Sequence, residues 1–549
     1  MSVHAGGHAA RESGLEITGP ADLTVTERGT VSKSRLSFRI SMFGGSAMTA
    51  QAIIHDSIDA AVRRRAREHA DDIAVVDPCR YLTWSDLDAA ADRLAATLAA
   101  QGVGRGDRVA WLGPNVAAYP ITVLAAWRRG ASIVGLNLRL PAADLAAMTQ
   151  AVRPAHLVYE AHYSELAAAL DVPGRTVVAP DDEMWPPIVS AGDARVDRAA
   201  IDTDADDEAL IYFTSGSTGH PKAVPLTRGA IEATLPYAAI HRFDENSRAL
   251  VIPPNFHAAG ATWANYGMYI GMRLVYIADT SPAGIADAIV EHGITHILMV
   301  PTLIHSLLGE LREHPRALPS LQHVGYGASS ITQQLLGDAI GLLGCEFAQV
   351  YGLSETGGGV AFLEVEDHLG DHPERLSSAG KPGAGIDVEV RGPDRSVLAA
   401  GESGELWFRS PCVTRGYLDN PDATARVLVD GWFNTRDIGF LDDDGYLYVQ
   451  GRSDDMICTG GENVHPQVVE EVLAAMPGVE ECAVFGTPDP HWGQRVCAAV
   501  VTTEPISDAD VIAWCTERLG RFQVPKSVVF LDELPRTATG KVKRSALSV

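Results

Sequence analysis

Residues 212–223 read Tyr-Phe-Thr-Ser-Gly-Ser-Thr-Gly-His-Pro-Lys-Ala, and the fold and the chemistry can be inferred most directly from this stretch. An apolar run at 209–213 predicts a buried strand that leads straight into a loop of glycines and hydroxyl side chains. These loop residues are Thr214, Ser215, Gly216, Ser217, Thr218 and Gly219. Hydroxyls and backbone N–H groups can surround an anion here, because the glycines carry no Cβ that would block its approach. The pattern predicts a loop that binds the phosphates of a nucleotide triphosphate.

The obvious alternative for such a loop is a Walker A motif, which needs Gly-Lys-Ser/Thr at the start of a helix. In this chain Pro221 precedes Lys222 and Ala223 follows it, so the Walker pattern fails at two positions. A second alternative, a glycine- and serine-rich surface turn that binds nothing, stays open on this loop alone.

Composition and charge exclude several classes of function. The 549 residues include 44 Lys and Arg against 70 Asp and Glu, a formal net charge of −26. Such an excess of negative charge argues against nucleic acid or an anionic membrane surface as a partner. No apolar run has the length of a membrane-spanning helix. The seven cysteines are scattered without a C-x-x-C pair, which favours reduced thiols and a cytoplasmic protein.

The chain divides into segments that differ in composition and in hydrophobic pattern. Residues 1–47 are rich in Gly, Ser, Thr and Arg and are predicted to be a disordered extension. From residue 82, apolar strands alternate with helices of ten or more residues, which is typical of βαβ units and parallel sheets. Short alternating strands at about 385–448 predict a small β subdomain.

The last hundred residues predict a separate α+β tail. Pro466 suits the first position of a helix, and Ser507 with Asp510 has the spacing of a capping box. The predicted class is therefore α/β, with a large region of mixed and parallel sheets with helices at 48–452. A small α+β C-terminal domain at 453–549 follows it.

Six ordered motifs carry a resemblance to a known family. They are residues 214–222, Tyr351-Gly-Leu-Ser-Glu355, Gly431-Trp-Phe-Asn-Thr-Arg-Asp437, Gly451-Arg-Ser-Asp454, Gly460-Gly-Glu-Asn463 and Arg536-Thr-Ala-Thr-Gly-Lys541. From Met48 to the C-terminus the chain resembles adenylate-forming enzymes, and among them the acyl-CoA synthetases. Its sequence at 454–466 is especially similar to that of benzoate- and chlorobenzoate-CoA ligases.

The resemblance implies a two-step reaction with ATP, Mg²⁺ and CoA. A carboxylate is a poor electrophile, so its oxygen is first joined to AMP with loss of pyrophosphate, and a thiol then displaces AMP. Both steps move negative charge, which the site must stabilise with cations and N–H donors.

The resemblance also implies residue roles on the nucleotide side. Lys541 would bridge the attacking carboxylate and the α-phosphate, and Glu355 would hold magnesium. Asp437 would accept both ribose hydroxyls, with Arg452 reaching ribose or phosphate. The remaining nucleotide contacts would come from the 214–219 loop, Lys222, Gly327, Ala328, Ser329, Tyr351, Gly352 and Ser354. One departure stands beside Asp437, where Arg436 replaces the family's usual glycine, so the backbone shape at 436 is open.

Further implied roles concern the acid, the thiol and domain motion. His257 would gate an acyl pocket bordered by Gly327, Val350, Gly352, Gly357 and Gly358. Asp454 would be the hinge about which the tail rotates, and Gly460 and Gly461 would line a pantetheine tunnel. A structural histidine and an ordinary tight turn are the plain alternatives. Because these segments carry no Arg or Lys for a second carboxylate, an aromatic or medium-chain acid is favoured over a dicarboxylate.

Three rival functions have to be compared. A peptide-synthetase module would continue into a carrier domain, whereas only eight residues follow Lys541. A standalone enzyme that loads a carrier protein stays open, as does a homodimer. A non-catalytic nucleotide sensor is disfavoured, because it would not need Lys541, Glu355 and Asp437 together.

Overall fold

A computed structural model of the chain describes residues 57–178, 204–214, 221–370, 372–536 and 542–548. The extension predicted at 1–47, loop residues 215–220 and Lys541 lie outside these ranges, so their predicted roles stay predictions. All described residues belong to one compact unit.

The α-helices alternate with strands over most of the chain, as predicted. They are α1 (Ile58–Glu68), α2 (Trp84–Ala100), α3 (Ala118–Arg128), α4 (Ala142–Val152), α5 (Ser164–Ala169), α6 (Arg228–Glu232), α7 (Ala258–Ile270), α8 (Pro282–His292), α9 (Pro301–Glu313), α10 (Gln333–Leu343), α11 (Val365–Leu369), α12 (Pro421–Val427), α13 (Pro466–Ala474) and α14 (Asp508–Thr516).

The strands up to residue 382 build two large sheets. They are β1 (Ile73–Asp77), β2 (Arg80–Thr83), β3 (Arg108–Leu112), β4 (Ser132–Gly135), β5 (His156–Glu160), β6 (Gly174–Val178), β7 (Glu208–Thr214), β8 (Lys222–Thr227), β9 (Arg248–Leu250), β10 (Arg273–Val275), β11 (His296–Met299), β12 (His323–Gly327), β13 (Glu346–Leu353), β14 (Gly358–Leu363) and β15 (Lys381–Pro382).

The remaining strands build two smaller sheets. They are β16 (Asp387–Arg391), β17 (Gly404–Arg409), β18 (Leu428–Val429), β19 (Trp432–Leu441), β20 (Leu447–Arg452), β21 (Ile457–Thr459), β22 (Glu462–Val464), β23 (Val479–Asp489), β24 (Gly493–Thr502) and β25 (Ser527–Phe530).

Both large sheets have a parallel centre. The nine-stranded sheet has antiparallel pairs at both edges, whereas the six-stranded sheet has an antiparallel pair at its β8 edge and a parallel pair at its β6 edge. The nine-stranded sheet has the order β15-β14-β13-β12-β11-β9-β10-β1-β2, and the six-stranded sheet has the order β6-β5-β3-β4-β7-β8. Their central strands are buried apolar runs, because helices cover a parallel sheet on both faces. Helices α8, α9 and α10 pack on the first sheet, and α4 and α5 pack on the second.

The small sheets follow in chain order. Strands β16, β17, β19 and β18 with β20 form the predicted β subdomain, and β22, β21, β24 and β23 with β25 form the sheet of the tail. The capping box of Ser507 and Asp510 is present at the start of α14, and Pro466 is the first residue of α13. The predicted boundary at 452 and 453 coincides with the end of β20, while the tail's mobility stays a prediction.

Two further predictions concern properties of the whole chain. Among the described residues, no helix combines the length and the apolar character that crossing a bilayer requires. All seven cysteines lie within the described ranges, and they form no disulfide with one another.

Two buried histidines of the nine-stranded sheet form a cluster with a third, His241, which precedes β9. His296 on β11 and His323 on β12 are register partners, and their rings stack with centroids 5.6 Å apart. Nδ1 of His241 is 3.0 Å from Nε2 of His323, so one of these nitrogens donates to the other. Burial lowers the pKa of His241 to about 3 and that of His296 to about 4, and it lowers the pKa of His323 as well. The three imidazoles are therefore neutral at pH 7.

This cluster predicts a loss of stability in mild acid. In the unfolded chain the pKa of each of these histidines is about 6.5, which is above its pKa in the folded protein. Below about pH 6.5 the unfolded state therefore binds protons that the folded state does not bind. The contribution of these three histidines to the free energy of unfolding should be constant above about pH 7.5. It should fall by about 1.4 kcal/mol per pH unit for each buried imidazole between about pH 6.5 and 4. Urea unfolding at a series of pH values measures this slope.

The matched pair of variants is His296→Gln and His305→Gln, because the side chain of His305 is 49% exposed. His296→Gln should reduce the slope by about 1.4 kcal/mol per pH unit, whereas His305→Gln should leave it unchanged. An identical slope in both variants would contradict the assignment.

Candidate active site

The predicted phosphate loop joins two paired strands. Strand β7 runs parallel to β4 and antiparallel to β8, and Thr214 is the register partner of Lys222. Thr214 therefore lies at the carboxyl end of a parallel strand, and Lys222 lies at the start of its antiparallel neighbour. Ligands of open α/β sheets bind at these carboxyl ends, so the flanks of the loop lie where phosphates are expected.

Lys222 lies beside the ring of Tyr417, and Tyr417 in turn contacts the buried carboxylate of Glu355. Its Nζ lies 5.0 Å from the ring centroid of Tyr417, and the Tyr417 hydroxyl donates a 2.8 Å hydrogen bond to Oε1 of Glu355. Glu355 is 8% exposed, and its backbone carbonyl accepts a 2.7 Å hydrogen bond from the N–H of Thr414. Burial, together with the charge of Glu355, raises the pKa of Tyr417, so its hydroxyl keeps its proton. The tyrosine fixes the direction of the Glu355 carboxylate.

A second buried carboxylate, Asp437, joins three strands. Its Oδ2 accepts a 2.5 Å hydrogen bond from the Tyr351 hydroxyl of β13, and its Oδ1 is 2.9 Å from Nε of Arg452 on β20. Its own N–H donates to Oγ1 of Thr435 at 3.0 Å. Each carboxylate oxygen can accept a second hydrogen bond, so both keep capacity for a ligand. Burial, and then the charge of Asp437, raises the pKa of Tyr351, which stays a donor.

Glycines let the backbone come close at the ends of β12 and β13. A Cβ on Gly327 would lie 2.2 Å from the Val350 carbonyl oxygen, and one on Gly352 would lie 1.9 Å from that of Gly358. Neither position can hold a side chain. Ala328 follows with φ +67°, so the chain turns sharply into Ser329, which is exposed.

The predicted acyl side lies at the start of α7. His257 directly precedes this helix, and Thr262 on α7 donates a 3.0 Å hydrogen bond from Oγ1 to the Gly357 carbonyl. A Cβ on Gly358 would lie 3.3 Å from the same Thr262 Oγ1. The small residues of β14 therefore pack closely against α7.

One cleft of about 2550 Å³ connects these groups. The predicted site residues that line it are Thr214, Lys222, His257, Gly327, Ala328, Ser329, Val350, Tyr351, Gly352, Ser354, Glu355, Gly358, Asp437, Arg452 and Asp454. Of the predicted residues that the structure describes, Gly357, Gly460 and Gly461 do not line it. Gly357 instead packs beside Leu226 with φ +67°.

The predicted hinge and tunnel residues lie in the tail and at its start. Oδ1 of Asp454 is 2.6 Å from Nη2 of Arg436, and this is the arginine that replaces the family's glycine. Arg436 has φ +62°, so the left-handed backbone that glycine favours is kept there by a larger residue. Gly460 and Gly461 have φ +60° and +86° in the turn between β21 and β22, and Trp492 covers Gly460.

Tyr417 is a site residue that the sequence analysis missed. It is 62 residues from Glu355 along the chain, and no motif spacing connects the two. The one sequence feature that pointed to Tyr417 was its position in a loop of the β subdomain, between β17 and α12.

Comparison with known proteins identifies the family. The sequence model described as AMP-binding enzyme matches residues 62–418, and the model described as AMP-binding enzyme C-terminal domain matches residues 468–541. The chain belongs to the AMP-binding enzyme family. The predicted membership of the adenylate-forming superfamily, the α/β class with a small C-terminal domain, and the assignment as an enzyme are thereby confirmed.

Individual relatives span nearly the whole chain. A feruloyl-CoA synthase of Amycolatopsis sp is 36% identical over 489 residues, covering 87% of this chain and 96% of that protein. A fatty acid–[acyl-carrier-protein] ligase of Streptomyces coeruleorubidus is 32% identical over 484 residues, covering 86% and 92%. The structure of o-succinylbenzoate coenzyme A synthetase from Bacillus subtilis with ATP and magnesium matches with a TM-score of 0.76 at 28% identity, covering 89% of this chain and 98% of that one.

The Tyr417 contact predicts a change in magnesium dependence. Tyr417→Phe keeps the ring beside Lys222 but removes the donor to Glu355, and a hydrogen bond to a charged group contributes about 1.5 kcal/mol. The Mg²⁺ concentration that gives half-maximal pyrophosphate release should therefore rise about tenfold.

Tyr446→Phe is the matched control, because its hydroxyl donates to Oδ1 of Asp367 at 2.5 Å and does not line the cleft. This variant should keep the wild-type magnesium dependence. If Tyr417→Phe does so too, Tyr417 has no part in orienting Glu355.

Proposed function

We propose that this protein is an ATP-dependent acyl-CoA synthetase for an aromatic or medium-chain carboxylic acid. The acid's oxygen attacks the α-phosphorus of ATP, and the bond to the leaving pyrophosphate breaks. The thiol of CoA then attacks the acyl carbon, and AMP leaves with the electrons of the broken C–O bond. The products are acyl-CoA, AMP and pyrophosphate.

One observation carries this proposal: two buried carboxylates and the ends of the phosphate loop line the same cleft. Lys222 and Glu355 lie on the side of the loop, where they suit the phosphates. Asp437, held by Tyr351 and Arg452, suits the two ribose hydroxyls, because each of its oxygens keeps a free lone pair. The location of both groups in one cleft supports a single bound nucleotide.

Glu355 fits the role of a magnesium ligand. Within the described ranges no group of three or more His, Cys, Asp or Glu is arranged to hold a metal ion. Mg²⁺ in nucleotide sites is held by one or two carboxylates together with phosphate oxygens and water, so a single oriented glutamate is a suitable donor. Bound there, the ion would offset negative charge on the phosphates.

Domain alternation completes the proposed cycle. Lys541 stabilises the charge that develops as the acid attacks, and the tail then turns about Asp454. The turn at Gly460 and Gly461 lies outside the cleft, and rotation of the tail would bring it to the thiol channel. The Asp454 contact with Arg436 supports a defined position of the tail before this rotation.

In this proposal the acid lies at the start of α7, beside His257, Val350 and Gly358. The feruloyl-CoA synthase relative activates an aromatic acid by name. Together with the small residues of this pocket, that relative supports an aromatic substrate.

Loss of Lys541 tests the first step separately from the second. Lys541→Ala should lower acid-dependent pyrophosphate release by about two to three orders of magnitude, the effect of losing one preorganised donor. Thioester formation from supplied acyl-AMP and CoA should stay close to wild type. A panel of aromatic, short and fatty acids, with acyl-CoA identified by mass spectrometry, gives both rates.

Lys543→Ala is the matched control, since Lys543 is an exposed lysine of the same segment. It should leave both steps unchanged. Equal losses in both steps for Lys541→Ala would contradict the assignment.

A carrier protein is the second candidate acceptor. The relative from Streptomyces coeruleorubidus is named a fatty acid–[acyl-carrier-protein] ligase, and it matches over 86% of this chain. Supplying CoA and a phosphopantetheinylated carrier protein in parallel distinguishes the two acceptors. The proposed location is the cytoplasm, supported by cysteines that form no disulfide. A homodimer is likewise proposed, and sedimentation tests it.

A further inference from the structure

The chain before Lys541 is paired with the chain after it. Arg536 and Val542 form an antiparallel bridge, and the N–H of Lys543 donates a 2.7 Å hydrogen bond to the Pro535 carbonyl. Val542 lines the cleft and follows Lys541 directly in the sequence. The Cα atoms of these two residues are therefore about 3.8 Å apart across a trans peptide bond. The contacts that hold Val542 in place thus limit where Lys541 can lie.

Arg544, two residues beyond Val542, binds the tail through all three nitrogens of its guanidinium group. Nη2 donates to both carboxylate oxygens of Glu470 on α13, at 2.7 and 2.9 Å. Nε donates a 3.1 Å hydrogen bond to the Val484 carbonyl of β23, and Nη1 lies 3.5 Å from Oδ2 of Asp455. Oε1 of Glu470 also accepts a 2.7 Å hydrogen bond from the N–H of Val484. The planar guanidinium group is therefore held in one orientation.

This network belongs entirely to the tail. All four of its residues lie within 453–549, so the contacts do not depend on the large region. The side chains of Glu470 and Arg544 are 17% and 30% exposed, so dissolved ions screen this pair less than they screen a pair on the open surface. A turn of the tail about Asp454 would therefore carry the network and Lys541 together.

We propose that Arg544 is a positioning residue for Lys541. Its contact with Glu470 sets the position of the chain after Lys541, and thereby the distance of the lysine from the acid and the α-phosphate. This inference rests on the proposed function, in which Lys541 stabilises the first step. A misplacement of about 1 Å can lower a rate by about 10²-fold. Because the thiol step does not use Lys541, only the first step should depend on Arg544.

Arg544→Gln tests this role, because glutamine is shorter and carries no charge. Acid-dependent pyrophosphate release should fall at least about tenfold, whereas thioester formation from supplied acyl-AMP and CoA should stay within about twofold of wild type. Arg544→Lys keeps a positive charge near Glu470 without the planar fork, so its loss in the first step should be smaller. The ratio of the two rates is taken within each protein, so a loss of folded protein cancels.

Arg108→Gln is the matched control, since Arg108 makes similar contacts in the large region. Its Nε and Nη2 are 2.8 and 3.1 Å from the two carboxylate oxygens of Glu208, and its Nη1 donates a 2.9 Å hydrogen bond to the Val152 carbonyl. None of these three residues lines the cleft. Loss of this pair should lower the stability of the large region and leave the ratio of the two rates at its wild-type value.

The double variant Lys541→Ala/Arg544→Gln shows whether Arg544 acts through Lys541. A residue that only positions the lysine has no effect once the lysine is absent. The double variant should therefore release pyrophosphate at a rate within about twofold of that of Lys541→Ala alone. A further fall of about tenfold would show an effect that is independent of the lysine, and it would overturn the inference.

Two other results would overturn the inference while leaving the ligase activity standing. One is pyrophosphate release at the wild-type rate in Arg544→Gln, and the other is an equal loss in both steps. If Arg544→Gln does not accumulate as folded protein, the same comparisons are made with Arg544→Lys. If wild type releases pyrophosphate with no acid of any class, the proposed function fails, and this inference fails with it.

Discussion

The carboxylate of Asp437 is the constraint on which the site depends. It is 7% exposed, and a buried charge is tolerated only when partners satisfy it. Tyr351 supplies one hydrogen bond from the nine-stranded sheet, and Arg452 supplies an ion pair from the last strand of the β subdomain. Strand β13 and the hairpin of β19 and β20, with Tyr351 and Asp437 separated by 86 residues, are therefore fixed around a single side chain. The same carboxylate that suits a ribose also determines how the subdomain attaches to the large sheet.

Close backbone approach gives the cleft its shape. Val350, Gly352 and Gly359 lie where β13 and β14 pair, and a Cβ on Gly359 would lie 2.4 Å from Cγ1 of Val350. Gly327 and Gly325 have the same effect along β12. Since these positions carry no side chains, neighbouring strands and the residues packed on them approach more closely than any other residue would allow. The glycines therefore fix the positions of β12, β13 and β14, and with them the positions of the cleft residues that these strands carry.

Local patterns made much of the fold predictable. The strand before the phosphate loop, the alternation of strands and helices, and the capping box at Ser507 depend on neighbours in sequence, so they could be inferred without coordinates. Most of the predicted site residues also line one cleft, although their roles came from ordered motifs and not from spacing. The contacts of Tyr417 with Glu355 and of His241 with His323 span 62 and 82 residues of sequence. Hydrophobic periodicity does not predict pairs that are so far apart in the chain. Long-range packing decides them.

The conformation of Arg436 has a consequence for how the tail responds to its surroundings. A left-handed backbone costs a residue other than glycine about 1–2 kcal/mol, and an exposed ion pair returns at most about 1 kcal/mol. The side chains of Arg436 and Asp454 are 45% and 43% exposed, so dissolved ions reach both. Screening at physiological ionic strength weakens such a pair. The backbone cost at Arg436 and the stabilisation from its ion pair with Asp454 are thus of similar size. The salt concentration of the medium determines how much of that stabilisation remains at the start of the tail.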